Sequence, residues 1–296
     1  MKILRCLGLF ACLLICALVI ILSEIKKWPG VGSITGVIMG VLIPVWLHAI
    51  QDLGDTTNWK ASQRRLLRGG YISDDTIIRV SFAYLFRIKA GNKYLLVKNA
   101  RGTGKYQPVG GVYKMLRNER TDLKNLFRVV DDDKVPLDES SRDDYRLQMQ
   151  SKYLRRFVAR FNSKKANRER IDDVSREFYE ELGSILNWNK IRYRYCGRHM
   201  TELTFSDHFQ CYELLLADIV ELNPSQEQRA DLERLKNSQS DYYIFATADV
   251  INGLGVAPGT DKLEECIADH TKKILQESEE FLTKEPQTGA FFEVSL

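Results

Sequence analysis

The 296-residue sequence has no CxxC pair, no histidines at metal-ligand spacing and no cysteine framework. Cys6, Cys12 and Cys16 lie in one apolar run near the start, while Cys196, Cys211 and Cys266 are scattered. Structural zinc sites and disulfide scaffolds need close, regular spacings, so neither is indicated. The four histidines are too dispersed for a ligand cluster. A P-loop is missing as well. "GTGK", residues 102–105, looks like the end of one, but Tyr106 stands where Ser or Thr would hold magnesium and no glycine opens the loop. Internal repeats and long low-complexity linkers are absent. So is a strong charge of one sign: net charge is +4 and the pI near 8.6, too mild to call for a polymeric nucleic acid.

Long hydrophobic runs, by contrast, are present. Residues 3–22, "ILRCLGLFACLLICALVIIL", carry one charge near their start and are then apolar for long enough to cross a hydrocarbon core. A second run covers 31–50 after the polar break "SEIKKWPG". No small-x-small cleavage site follows the first run, and the second makes residues 1–50 a two-span hairpin rather than a signal peptide. Lys2 and Arg5 before the spans and Lys60, Arg64, Arg65 and Arg68 after them outnumber Lys26 and Lys27 in the loop. That bias places both termini on the cytoplasmic side. Gly32, Gly36 and Gly40 recur every four residues, a spacing that allows close helix approach and homo-oligomerisation within the membrane; glycine is also simply common in such helices. Pro44 and His48 add a kink site and a polar group near the cytoplasmic end.

A different signal stands at 175–185, "SREFYEELGSI". Glu177, Glu180 and Glu181 at i, i+3 and i+4 share one helical face, with Phe178, Leu182 and Ile185 on the opposite stripe and Gly183 as a stop. Three crowded carboxylates call for solvent, for Arg176, or for a hard cation such as Mg²⁺. The plainest reading is a solvated acidic face. Against it, "REFYEELGS" resembles the second half of the Nudix box, REUxEExGU, with Ser184 missing the last apolar slot. The first half fails: where the box has Glu and Gly, eight and fourteen residues before Arg176, this chain has Arg168 and Asn162.

Upstream, "KYQPVGG", residues 105–111, resembles the strand end that precedes the Nudix helix, and Gly110 and Gly111 would let backbone approach a phosphate closely. The distance from Gly111 to Arg176 is longer than in ordinary Nudix enzymes, so the resemblance implies an insertion at about 112–170. Within it, residues 142–170 are strongly basic with an apolar stripe at Tyr153, Leu154, Phe157, Val158 and Phe161. The pattern reads as an amphipathic helix that either binds a polyanion or an anionic membrane, or packs by its stripe with its charges in water.

Strand patterns occur at 76–88 and 93–99, joined by a turn at Ala90, Gly91 and Asn92 into a hairpin, with Val80, Phe82, Tyr84, Phe86 and Ile88 on one face. Further strand-like stretches are 190–197, 201–222 and 241–251, and residues 261–282 have helical spacing. The expected fold is an α/β/α sandwich with a mixed sheet at 76–296, behind a hairpin at 1–50 and a polar connector at 51–75.

A two-span hairpin followed by such a domain resembles the SMODS-associated Nudix proteins, membrane effectors of bacterial cyclic-oligonucleotide-based antiphage signalling (CBASS). The resemblance implies a Nudix-like domain in the inner membrane's cytoplasmic compartment that binds a cyclic oligonucleotide, whereupon the spans assemble and break the membrane lipid. Arg79, Arg87, Gln107, Gly110, Gly111 and the pair Arg155 and Arg156 are the expected ligand contacts. Two rivals remain open at this point: a hydrolase in which Glu177, Glu180 and Glu181 hold Mg²⁺, and a membrane scaffold that binds a protein partner.

Overall fold

The computed structural model describes residues 2–53, 58–99, 102–135, 141–256, 259, 263, 265–276 and 282–296. The chain separates into two compact units, residues 1–64 and 65–296.

In the first unit, helices Lys2–Lys26 and Val31–Leu53 pack as a hairpin. Phe10 and Trp46 stack across it with ring centroids 5.4 Å apart. Gly32 sits against the first helix, where a Cβ would come within 2.9 Å of Ser23 Oγ. Gly36 and Gly40 do not: a Cβ on either meets nothing within 4 Å. The expected glycine stripe is thus divided, one member closing the hairpin and two left on open surface. Pro44 lies inside the second helix. Cys6–Lys26 is long and apolar enough to cross a membrane, and Val31–Leu47 is a shorter apolar stretch. Leu14, Ile15, Leu18, Ile34, Val37 and Val41 are exposed on the pair, as lipid contact would require. The side chains of Lys2, Arg5 and His48 lie outside the described residues. The connector, expected to be polar, is helical over Asn58–Arg68.

The second unit is built on one strand, Ile77–Arg87. It pairs in parallel with Cys211–Leu222 over its length and antiparallel with Arg146–Gln150 and Gly110–Val112. Lys190–Met200 flanks Cys211–Leu222 and carries Leu282–Thr283 and Phe291–Ser295 on its outer edge. Val130–Asp131 closes the far side. On one face of this central strand Ile78, Val80, Phe82, Tyr84, Phe86 and Ile88 are fully buried as their alternation predicts. The expected hairpin with 93–99 is smaller than the pattern implies: only Lys89–Ala90 pairs with Lys93–Lys98. The chain changes sheets at Ile88, and Lys93–Lys98 pairs with Tyr243–Thr247 and Tyr106–Gln107 in a second, smaller sheet.

The inserted segment is part of the core. Arg146–Gln150, expected within a helix, is a strand, because Leu147 and Met149 alternate into the sheet. The helix begins only at Leu154 and ends at Asn162. Leu154, Phe157, Val158 and Phe161 are buried, and Phe161 meets Phe82, Tyr145 and Tyr113 at 4.7, 5.1 and 5.4 Å between centroids. Packing by the apolar stripe is therefore the arrangement adopted. Within 261–282 the described residues form a 3₁₀ run, Asp269–Leu275, and a short strand at Leu282–Thr283 in place of a full helix; residues 261, 262, 264 and 277–281 lie outside the described set.

Candidate functional site

The acidic helix runs Ser175–Leu182. Phe178 and Leu182 anchor it in the core, Phe178 packing on Phe86 and Trp188 at 5.4 and 5.9 Å between centroids. Gly183 ends it, not by a left-handed turn but through close approach: a Cβ there would fall 2.5 Å from the Tyr179 carbonyl.

Anchored this way, the helix lays Glu177 and Glu181 across the strand end Gly110–Val112. Gly110 N–H donates to Glu181 Oε2 at 2.9 Å. A Cβ on Gly111 would sit 2.0 Å from Glu177 Oε1, and one on Gly110, whose φ is +145°, would sit 2.2 Å from the Tyr84 carbonyl. Both glycines are thus required by the close approach of carboxylate and strand. Gln107 adds a side-chain hydrogen bond to Glu181 and itself accepts from Asn99 Nδ2 at 2.6 Å.

Arg176 organises the other side. Its Nε donates to Glu169 Oε1 at 2.5 Å and its Nη2 to Glu169 Oε2 at 3.2 Å and to the Val112 carbonyl at 3.2 Å. Its Nη1 donates to Glu177 Oε1 at 2.6 Å and Glu180 Oε2 at 3.3 Å. Glu169 Oε2 also accepts from Lys114 N–H at 2.9 Å. The acid absent at position 168 is supplied one residue later, a shift that exact spacing passes over although "RER" stands in the sequence. The residues at the failed positions serve the core: Arg168 lies over the Phe161 ring at 3.7 Å, and Asn162 Oδ1 accepts from Arg198 Nη1 at 2.7 Å.

Electrostatically the carboxylates differ. Burial pushes Glu181 up to about 8, with Glu177 and Glu180 adding repulsion that Gly110 and Gln107 only partly offset. Burial also raises Glu177, against the pull of Arg176. Glu180 is more than half exposed and turned outward. Beneath them the Tyr84 hydroxyl is buried without a hydrogen-bond partner among the described residues, and burial followed by the charge of Glu169 keeps it protonated.

Nudix hydrolases generally use a divalent cation such as Mg²⁺. Glu177 and Glu181 fit one by donor chemistry, being hard oxygen ligands whose mutual repulsion a cation would relieve. Among the described residues, however, no three His, Cys, Asp or Glu side chains gather around one point.

Of the expected ligand contacts, the structure brings Gln107, Gly110 and Gly111 together with Glu177 and Glu181. The arginines lie elsewhere. Arg79 is buried between Asp132 and Glu213, at 2.7 and 2.9 Å, with its guanidinium 4.0 Å from the Phe209 ring centroid. Arg87 is buried and straps the chain's later segment, donating to the carbonyls of Ile274 and Gln276 at 2.5 and 2.7 Å. Arg155 and Arg156 are exposed on the outer face of the basic helix, Arg156 5.8 Å from the centre of the Phe127 ring. Arg160, on the same helix, turns inward to the fully buried Glu119 at 2.7 Å.

The mixed sheet, strand end and acidic helix are those of a Nudix domain. Residues 77–275 match the family model of the SMODS-associated NUDIX domain, and the chain belongs to that family. No curated protein matches it. Among solved structures, one described as "Crystal structure of UDP-X diphosphatase" aligns over 90% of this chain and 88% of its own length, at 10% identity and a TM-score of 0.24.

Proposed function

We propose that this protein is an antiphage effector in which the Nudix-like domain binds a cyclic oligonucleotide and drives oligomerisation of the hairpin, disrupting the bacterial inner membrane and causing abortive infection. The observation that carries this reading is the internal neutralisation of the acidic helix. Arg176 is committed to Glu169, Glu177 and Glu180, and Glu181 is pushed toward its neutral form by burial, against the pull of the hydrogen bonds from Gly110 and Gln107. Such a site keeps its shape without a cation, which suits holding a ligand more than cleaving it. Gly36 and Gly40 supply open surface for helix contact between copies. The binding step must favour the assembled state by about 5.5 kcal/mol to move a population from 1:99 to 99:1. Both termini would then lie in the cytoplasm.

A second reading, a membrane-anchored hydrolase of a nucleoside diphosphate derivative, draws support from the raised Glu177 and Glu181. A Mg²⁺ held by them would supply Lewis-acid chemistry at a diphosphate. The chain's own contribution would be orientation by Arg176 and Gly110. The two readings separate on one experiment: full-length protein in detergent is mixed with cyclic di- and trinucleotides and Mg²⁺, and the bound ligand is recovered. Intact ligand supports the effector; conversion to monophosphates supports the hydrolase. Glu181→Gln should leave ligand-triggered cell killing in place under the first reading and abolish turnover under the second.

A further inference from the structure

The smaller sheet ends on a strand with one neighbour. Tyr243–Thr247 pairs with Lys93–Lys98, and no other strand pairs with it among the described residues. The ladder shows which backbone groups are left over. Lys98 N–H donates to the Tyr242 carbonyl at 2.8 Å, so in this antiparallel register Tyr242, Ile244 and Ala246 bond inward to Lys93–Lys98. The neighbouring strand agrees, since Leu95 and Asn99 donate the other way, to the carbonyls of Ile88 and Lys105. Tyr243 and Phe245 therefore turn their N–H and C=O groups to the free edge.

Free edges are commonly kept short or blocked by a charge, a proline or a bulge. Other edges of this domain follow that rule. Lys89–Ala90, Val130–Asp131 and Leu282–Thr283 have two residues each, and Phe291–Ser295 carries Glu293 at its centre. By contrast "YIFAT", residues 243–247, has neither charge nor proline. Ile244 and Ala246 pack on the cluster of Leu96 and Ile251, while Tyr243 and Phe245 share the opposite face with ring centroids 6.2 Å apart. Open space of about 970 Å³ is lined by residues 238–247, which includes both faces of the strand, as a groove along its edge requires.

Only extended backbone meets such groups in register, and the charges at the two ends name its source. Asp241 stands at one end, where the Tyr106 hydroxyl donates to its carbonyl at 3.3 Å and the charge of Glu265 acts on the same hydroxyl. Lys93 stands at the other, opposite Thr247. Neither Asp241 nor Lys93 is in an ion pair among the described residues. An acidic end and a basic end on one edge complement each other when a second copy of that edge arrives antiparallel. We propose that Tyr243–Thr247 is a dimerisation edge, on which the same strand of a second copy docks antiparallel about a two-fold axis at Ile244. This register sets Tyr243 against Phe245 of the partner subunit, an aromatic pair on one face whose outward backbone groups exchange both bonds. It also sets Asp241 beside Thr247 of the partner subunit, with the partner's Lys93 one strand beyond. Centring the axis on Phe245 would instead bring Asp241 toward Asp249 of the partner subunit, a like-charge approach that a ladder disfavours. A two-fold contact of this kind closes on itself and makes a dimer, not a filament. It is separate from the hairpin surface at Gly36 and Gly40, and it stands under either reading of the acidic helix.

The test uses full-length protein in detergent, without nucleotide or Mg²⁺, with its mass followed on dilution. The chain should be a dimer. Phe245→Pro should raise the dissociation constant by about tenfold or more, because it removes an N–H that faces the partner and none that bonds within the sheet. Asp241→Lys should weaken the dimer as well, and adding Lys93→Asp should restore it. Ile244→Cys should cross-link to its own copy under mild oxidation, since a residue on the axis faces itself in a non-hydrogen-bonded pair; Tyr242→Cys should not. Mass spectrometry of the linked peptide separates this bond from any made by the native cysteines. A single-copy mass, a dimer untouched by Phe245→Pro and by Asp241→Lys, or linkage through Tyr242→Cys in place of Ile244→Cys would overturn the edge. So would loss of the dimer in Gly36→Leu, which would assign it to the hairpin. If Phe245→Pro fails to fold, the charge exchange and the cysteine at the axis decide alone, because both leave the ladder's own bonds in place.

Discussion

Asp218 and Glu181 are carboxylates withdrawn from water within the same domain, and they respond in opposite directions. Asp218 accepts from the hydroxyls of Tyr113 and Tyr195 at 2.7 and 2.6 Å and from two nitrogens of Arg198 at 2.8 and 2.9 Å. Burial alone would raise it, yet Arg198 and the tyrosines hold it below the usual carboxylate range. Glu181 has Gly110 and Gln107 and is pushed up to about 8. Completeness of partners, not burial, decides the charge. A fully satisfied carboxylate holds the sheet together, whereas a partly satisfied one retains capacity for something that arrives later.

The strongest way to break this contrast is Asp218→Ala. It leaves the buried Arg198 with Asn162 and Glu285 in place of its full set of partners and should cost about 3–5 kcal/mol, read as a fall in the unfolding midpoint in detergent. A loss under about 1 kcal/mol would mean that the four hydrogen bonds are not the structural centre they resemble. Arg176→Ala should cost less, on the order of 1.5–3 kcal/mol, because Glu169 and Glu177 keep backbone or solvent contacts when the guanidinium is gone. Unfolding with and without Mg²⁺ would sharpen the point, since a cation should recover part of the loss only in this variant.

The pH dependence tests Glu181 itself. Its folded value lies above its ordinary 4.5, so the folded state binds the extra proton between about 4.5 and about 8. Stability should therefore be greatest below that window and fall as pH rises through it. Glu181→Gln should flatten this slope and leave the protein more stable than wild type above pH 8, by about 1–3 kcal/mol. A wild-type profile rising across the window would contradict the assignment. The smallest expected stability effect is Gly36→Leu, within about 0.5 kcal/mol because the site faces open space. Ligand-triggered leakage should nevertheless be lost, if assembly uses that surface.

The comparison also marks what a linear pattern can reveal. Alternation on the central strand, the apolar stripe of the basic helix and the meeting of "PVGG" with "REFYEELG" were legible because each is local or repeats at a fixed period. The Glu169 pairing was not, since a one-residue shift defeats exact spacing while leaving the reach of Arg176 unaffected. Arg79 and Arg87 look like free cations in sequence and are buried partners in space, because their acceptors lie more than fifty residues away. The strand Arg146–Gln150 was hidden by the charges around it. The helix Gln226–Lys236, with Ser225 and Gln228 in a reciprocal cap, had a readable signal in "PSQEQ" that strand content nearby obscured.

The central claim, that a ligand is held rather than consumed and that the membrane is the output, is tested most directly on dye-filled vesicles carrying the full-length chain. Cyclic di- and trinucleotides are added in the presence of EDTA and, in parallel, of Mg²⁺. The account predicts that one of them releases dye equally well in both conditions and is recovered unchanged. Release that requires Mg²⁺ and consumes the nucleotide, or cleavage without release, would contradict it and make the glutamates of the acidic helix catalytic.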